Sequence, residues 1–281
     1  MRIPFAQIDA FADAPFTGNP AAVMPLSSWL DNATLQSIAS ENNLSETAFI
    51  VPASGEDADF ELRWFTPAAE VALCGHATLA SGHFVLSSDP TLDVVRFSTR
   101  QAGVLEVARR GAGYEMALPA WTPHPKPLDT IVAALGVTAR ETLWHDKGYA
   151  LVVVEDEAAV RAATPDGHAV KALGPYVLIV AARGDTADIV SRVFTDYFDI
   201  PEDPVTGSAH AVMVPYWAEV LGRDSFTAYQ ASARGGRLGC RLAGDRVLLT
   251  GACVTTIEGT FLLPKYRRPR SRLNSYFIHV D

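Results

Sequence analysis

Cysteine is scarce in this 281-residue chain: Cys74, Cys240 and Cys253 are the only three. The count is odd and the spacing too wide for a zinc pair or a disulfide framework, which leaves reduced, intracellular thiols as the simplest reading. Long apolar runs are missing too. None approaches the roughly 18 residues of a membrane span, and the opening MRIPFAQIDAF has no charged leader followed by an apolar core. The expectation is a cytoplasmic protein without a membrane partner. Positive charge is in deficit: 23 Lys and Arg stand against 32 Asp and Glu, a net −9. Such a balance speaks against a nucleic-acid surface. The basic stretch KYRRPRSR (265–272) reads as a solvated loop, and ARGGR (233–237), with no Lys-Ser/Thr or helical run after it, reads as a hairpin turn rather than a phosphate loop.

What the chain does contain is apolar material, 48% of its residues, enough for one large core or, more naturally at this length, two smaller ones. Short strand-like pieces divided by glycine and proline turns recur along it: two before residue 26, SETAFIV, ADFELRWFT, DVVRFSTR, GVLEVARR and GYEMALPA. PAWTPHPKP then packs four prolines into nine residues. Proline cannot continue a helix or a central strand, so 119–127 is a linker between a domain at 1–118 and another at 128–281. The final strand has the option of returning to the first domain. The second half repeats the order of elements in outline, with no fixed-period repeat.

Two segments stand apart, LCGHATLASGHFVL (73–86) and EDPVTGSAHAVMVPYWAEVLG (202–222). Each has a turn ending in glycine, Gly75 or Gly207, then small residues, a nearby histidine and a run that is apolar on every side. A helix apolar all round belongs inside something, so each domain is expected to wrap its strands around one such helix: an α+β fold of two similar barrels. Pro215 should kink or divide the second helix, because it removes a hydrogen bond and collides with the preceding turn. The helix starts, Gly75-His76 and Gly207-Ser208, expose unpartnered N–H groups at the positive end of the peptide dipoles. Facing each other across a cleft, they would hold a small carboxylate without metal or arginine.

The motifs DAFADAPFTGNPAAV (9–23), SETAFI (45–50), RWFTPAAEVALCGHATLA (63–80), EDPVTGSAH (202–210) and VTTIEGTFLL (254–263) also fall in one order over nearly the whole chain. Jointly they resemble the PhzF-like isomerases of phenazine biosynthesis, relatives of diaminopimelate epimerase. The resemblance implies two barrels with the active site between them, no cofactor, a homodimer, and proton movement on carbon. It also implies Glu46 as the acid/base, with His76 and Asp203 beside it, Gly75, Gly207 and Ser208 at the helix starts, and Asn19 lining the same cleft. YQASARGGRLGCRL (229–242) departs from the family pattern.

That role requires apolar walls to raise the pKa of Glu46 toward neutrality, which TAFIV after it would supply. Diaminopimelate epimerase-like enzymes use two cysteines. Only Cys74 is available here, so a two-thiol racemase is disfavoured, while Cys74, its thiol acidified by the helix start, or Asp203 remains an alternative second base for an epimerase. Cys74, His76 and His83 lack metal-ligand spacing, and no metal is expected. The leading expectation is a cofactor-independent isomerase of a small carboxylic acid. Behind it stand an epimerase and a non-catalytic binding or interaction protein.

Overall fold

The computed structural model of the protein describes residues 1–263, so the 265–272 basic stretch lies outside the described residues. In the first half, strands Arg2–Ala10, Asn19–Pro25, Glu46–Pro52, Phe60–Phe65, Val94–Thr99, Val104–Arg110 and Gly113–Pro119 pair in that order. Successive neighbours run antiparallel, parallel, antiparallel, parallel, antiparallel and antiparallel. In the second half, Glu141–His145, Tyr149–Val153, Val177–Arg183, Ile189–Thr195, Ser225–Gln230, Gly236–Ala243 and Arg246–Gly251 repeat the same relations in the same order. The repeat that is absent from the sequence as a period is present in the pairing.

Each parallel pair needs a crossover long enough to return to the start of the sheet. One crossover in each half lies outside: helix Asn32–Asn42 in the first, helices Glu157–Arg161 and Gly167–Leu173 in the second. The other is the apolar helix, Gly75–Ser88 or Gly207–Leu221, and it lies within. The strands between are therefore buried on both faces. In Glu46–Pro52, Ala48 and Ile50 pack on the central core while Phe49 and Val51 pack beneath helix Asn32–Asn42. In Tyr149–Val153 the same alternation sends Leu151 and Val153 inward and Ala150 and Val152 outward. A period of two with both faces apolar is what makes these strands read as continuous hydrophobic runs.

The halves are joined through strands. Gly113–Pro119 pairs with Arg246–Gly251, and Cys253–Leu262 runs antiparallel to Arg2–Ala10. Within the proline-rich 119–127, His124–Pro125 bridges to strand Glu141–His145.

Helix Gly207–Leu221 is continuous through Pro215, so of the two expected outcomes, a kink or a division, the division does not occur. Pro215 still leaves the carbonyl of Ala211, four residues back, without its helical N–H. The N–H of Trp121 in the linker takes that place at 3.0 Å. The helix is spared an unpaired buried acceptor, and the proline-rich 119–127 segment is pinned to it.

A second echo sits just ahead of the central helices. Arg63-Trp64-Phe65-Thr66 and Arg192-Val193-Phe194-Thr195 end equivalent strands. Arg63 donates from Nε and Nη2 to both oxygens of Glu70 at 2.7 and 2.8 Å, and Arg192 does the same to Glu202 at 2.7 and 3.0 Å. Each guanidinium also lies over the phenylalanine two residues on, 5.0 Å from the Phe65 ring and 4.9 Å from Phe194. Bidentate pairing and ring stacking together set the direction in which the chain approaches each helix. Among the described residues no helix is long and apolar enough to cross a membrane.

Candidate active site

Parallel pairing brings strand beginnings to the same end of a sheet. Asn19 and Glu46 open two adjacent parallel strands, in which Ala21 is registered with Glu46, and so lie at one end of the first half. The start of helix Gly75–Ser88 meets the start of helix Gly207–Leu221 there. A Cβ built on either Gly75 or Gly207 would stand 3.3 Å from the other's Cα, so the contact is backbone against backbone. Three surface helices of the chain have an aspartate capping their first turn, Asp31, Asp156 and Asp166. The two central helices have no side-chain cap: Cys74 makes none, and the Thr206 hydroxyl donates instead to Asp203 Oδ2 at 2.5 Å. Their first N–H groups and helix dipoles converge on a cavity of about 180 Å³ that is lined by Glu46, Cys74, Gly75, His76, Asp203, Gly207 and Ser208, among others.

Seven of the eight residues singled out from sequence thus line one cavity, and the eighth stands behind it. Asn19 is fully buried, so it does not line the cleft as expected. Its amide nitrogen lies 2.8 Å from Asp203 Oδ1, 2.9 Å from the Val205 carbonyl and 3.1 Å from His76 Nδ1. The two oxygens accept its protons and fix the amide's orientation. Asn19 therefore ties its own half to the Asp203–Val205 segment of the other, with His76 Nδ1 packed against its amide nitrogen.

His76 Nε2 lies 3.0 Å from Glu46 Oε2, a close ion-pair distance, but neither atom has a well-aligned hydrogen bond. Burial disfavours the imidazolium, but contact with the Cys74 sulfur, which adds charge only where ionised, and the Glu46 carboxylate act against burial, so the His76 pKa stands above its ordinary value. Burial pushes Asp203 up to about 6, opposed by the His76 charge and reinforced by Glu46. Cys74 goes the other way from expectation. The helix start does not acidify it: burial, with the Glu46 carboxylate adding to it, pushes its thiol up to about 11. At neutral pH it is a protonated thiol, not a ready base.

The ligand-capable atoms of Glu46, Cys74 and His76 lie within 4.8 Å of one another, a cluster invisible in the spacing because Glu46 comes from a distant strand. The sulfur sits nearest His76 Nδ1, at 3.5 Å, and the carboxylate nearest Nε2, so one ring nitrogen does not face both. His83 takes no part. Its ring nitrogens meet Tyr114 Oη and Thr255 Oγ1 at 3.0 and 2.9 Å.

The residues missed in the sequence are one that holds the second helix start, Gln230, and one that holds the loop before Asn19, Arg234. Gln230 is fully buried; its Oε1 accepts the Thr206 N–H at 2.8 Å, and its Nε2 donates to the Asp203 carbonyl at 2.6 Å. Arg234 reaches across to the first half, donating to the carbonyls of Thr17 and Gly18 and pairing with buried Asp9 at 2.9 Å. Both lie in the 229–242 stretch that departs from the family pattern. Gly18, at φ +66, ends this latched loop immediately before Asn19, and a side chain there would collide with the Ala10 carbonyl.

A family model described as PhzC-PhzF, phenazine biosynthesis-like protein, matches residues 8–259. The chain belongs to the PhzF-like phenazine-biosynthesis family. An uncharacterized isomerase of Pseudomonas aeruginosa is 47% identical over 265 residues, covering 94% of this chain and all of the relative. The human phenazine biosynthesis-like domain-containing protein is 38% identical, covering 92% and 99%. A PhzF-family crystal structure from Enterococcus faecalis has a TM-score of 0.86 at 42% identity, covering 94% of this chain and 100% of its own. A hydroxyproline epimerase from Agrobacterium vitis, 12% identical with a TM-score of 0.61, shares the fold. The family and its relatives make this an isomerase-type enzyme, with the α+β fold that the epimerases share.

A pH dependence follows from the two shifted groups. Near pH 5 Asp203 is largely protonated and His76 charged, which suits an incoming anion. As pH rises through about 6, Asp203 ionises beside Glu46 and opposes it. Benzoate, a monoanion throughout this range, is expected to bind more weakly as pH rises from 5 to 7, by up to about tenfold per unit for one linked proton. Calorimetric titration of wild type and Asp203→Asn checks this, the variant losing the slope.

Proposed function

We propose that the protein is a cofactor-independent isomerase that moves a proton between carbons of a small carboxylic acid held in the cleft, with Glu46 as the proton carrier. The observation that carries this reading is the placing of the Glu46–His76 pair, 3.0 Å apart, beside two uncapped helix starts in backbone contact. When the Glu46 carboxylate takes a proton from a carbon next to the substrate's carboxylate, the electron pair left behind spreads onto the carboxylate oxygens. Their negative charge grows at that moment. The N–H groups of the helix starts and the charged His76 oppose it most strongly then, which is the condition for lowering a barrier rather than only tightening binding. In a β,γ-unsaturated acid the same electron pair also reaches the γ carbon; protonated Glu46 returns its proton there, the double bond shifts to the α,β position and the carboxylate regains its ordinary charge.

An epimerase is the second reading, and Asp203 favours it: the cavity holds it together with Glu46, and at a pKa of about 6 it can exchange a proton near neutral pH. Cys74, with its thiol near 11, is the poorer second base. Incubating acids that bind the protein in D2O and following them by NMR separates the readings. Isomerisation relocates the double bond and places deuterium at the new position, whereas epimerisation labels one stereocentre and inverts it. Binding of an acid without any wash-in of deuterium would overturn both and leave a ligand-binding protein.

A further inference from the structure

Beside the site lies a second cavity of about 670 Å³ whose walls include Leu73, Gln101, Trp121, Lys147, Tyr149 and Arg246. It adjoins the first. Leu73 lines both, and Tyr149, in the wall of the second, stands against Ser208 at the helix start in the first. Size makes the junction meaningful. Sites for small molecules run from roughly 300 to 1,000 Å³; the 180 Å³ between the helix starts falls short of that range, and the two cavities together fall within it.

Charge is the second observation. In a chain of net −9, the residues lining this cavity include two cations, Lys147 and Arg246, and no carboxylate. Asp245 lies 3.9 Å from Arg246 and is almost fully exposed, so that contact is weak. Lys147 Nζ sits 5.3 Å from the centre of the Trp121 ring, and Trp121 packs 5.4 Å from Tyr149 and 5.7 Å from His145, stacked on the latter. The aromatic wall is fixed in place, because the Trp121 N–H is the group that satisfies the Ala211 carbonyl freed by Pro215.

We propose that this cavity is the far half of the substrate site and takes the second carboxylate of a dicarboxylic substrate, with Lys147 and Arg246 facing that group and the apolar body lying along Leu73, Tyr149 and Trp121. The inference rests on the reading that the Gly75 and Gly207 helix starts grip the first carboxylate.

Linear dicarboxylates from succinate to sebacate, each compared by calorimetry with the monocarboxylate of equal length, test it. One length of dicarboxylate is expected to bind about tenfold more tightly than its monocarboxylate, the worth of a modest charge-assisted contact. The double variant Lys147→Met, Arg246→Gln should bring it down to the monocarboxylate's affinity with an unchanged melting temperature, both side chains being at the rim. Gly207→Val should lose binding of both acids. If monocarboxylates bind and no dicarboxylate gains over them, the second subsite is wrong while the helix-start reading stands. If a dicarboxylate binds tightly and Gly207→Val leaves it bound, the cavity is a separate anion site and the continuous groove is wrong. If neither acid binds wild type, both readings fall.

Discussion

Glu46→Gln is expected to lower deuterium wash-in about 100- to 10,000-fold, the range of a lost general acid/base, while a small carboxylate still binds, with a shifted pH dependence. Glutamine keeps the length and the hydrogen-bonding shape of the side chain but cannot carry the proton. The side chain is 13% exposed and its Oε2 lies 3.0 Å from His76 Nε2, so the substitution also acts on its neighbours. The Glu46 charge is one of the influences raising both His76 and Asp203. Without it both pKa values should fall. The weakening of benzoate binding with rising pH should then begin lower, because Asp203 ionises earlier and His76 loses its charge earlier. That displacement is a readout a merely structural role would not give. Glu46→Asp, which keeps the charge and withdraws it by about one carbon–carbon bond, should hold the pH profile and lose rate through misplacement. Full wash-in by the glutamine variant would remove Glu46 from the mechanism.

How far the sequence foretells this site depends on the kind of contact. Gly75 and Gly207 are legible because a helix apolar on every side can only be interior, and its start must then be served by something other than water. The glycine and proline turns mark most strands for the same local reason. What local pattern cannot supply is long-range placement. Asn19 meets Asp203 across 184 positions, and Arg234 meets Thr17 across 217; no spacing rule reaches so far, and the glycine-rich 233–237 turn reads simply as a hairpin. Cys74 fails for a related reason. Its helix-start position argues for an acidic thiol, and only the fold reveals that it is buried and that Glu46 stands beside it. The Arg-x-Phe-Thr echo at 63–66 and 192–195 is present in the letters. It escapes a search for fixed periods because the interval from arginine to helix glycine is three residues longer in the second half, the extra length being accommodated before strand Ile200–Glu202. Pro215 is legible as a break in hydrogen bonding but not as a continuous helix, since the group that compensates it, the Trp121 N–H, belongs to the linker.

Gly207→Val is expected to abolish measurable carboxylate binding and wash-in together while the protein stays folded. A Cβ at this position meets the Gly75 Cα at 3.3 Å, with Leu118 and Leu249 methyl groups at 3.6 and 3.7 Å. Leucine methyls can turn aside. The backbone of Gly75 cannot, because it is the start of the other central helix. Valine's two further methyls therefore push the two helix starts apart, and the N–H groups that converge on one anion no longer do so. Each hydrogen bond to a charged group contributes roughly 1.5–3 kcal/mol, so the loss of even two weakens binding by more than about 100-fold. Overpacking itself costs about 1–3 kcal/mol, within the margin of an ordinary domain. Gly207→Ala should fall between, asking the neighbour to give a few tenths of an ångström. Gly55, with nothing within 4 Å of a built Cβ, is the control: Gly55→Ala should leave binding and melting temperature as they are. Titration with benzoate and thermal melts on the three variants read out the series. If Gly207→Val binds benzoate as wild type does, the anion is not held by the paired helix starts, and the carboxylate grip must be sought at His76 alone.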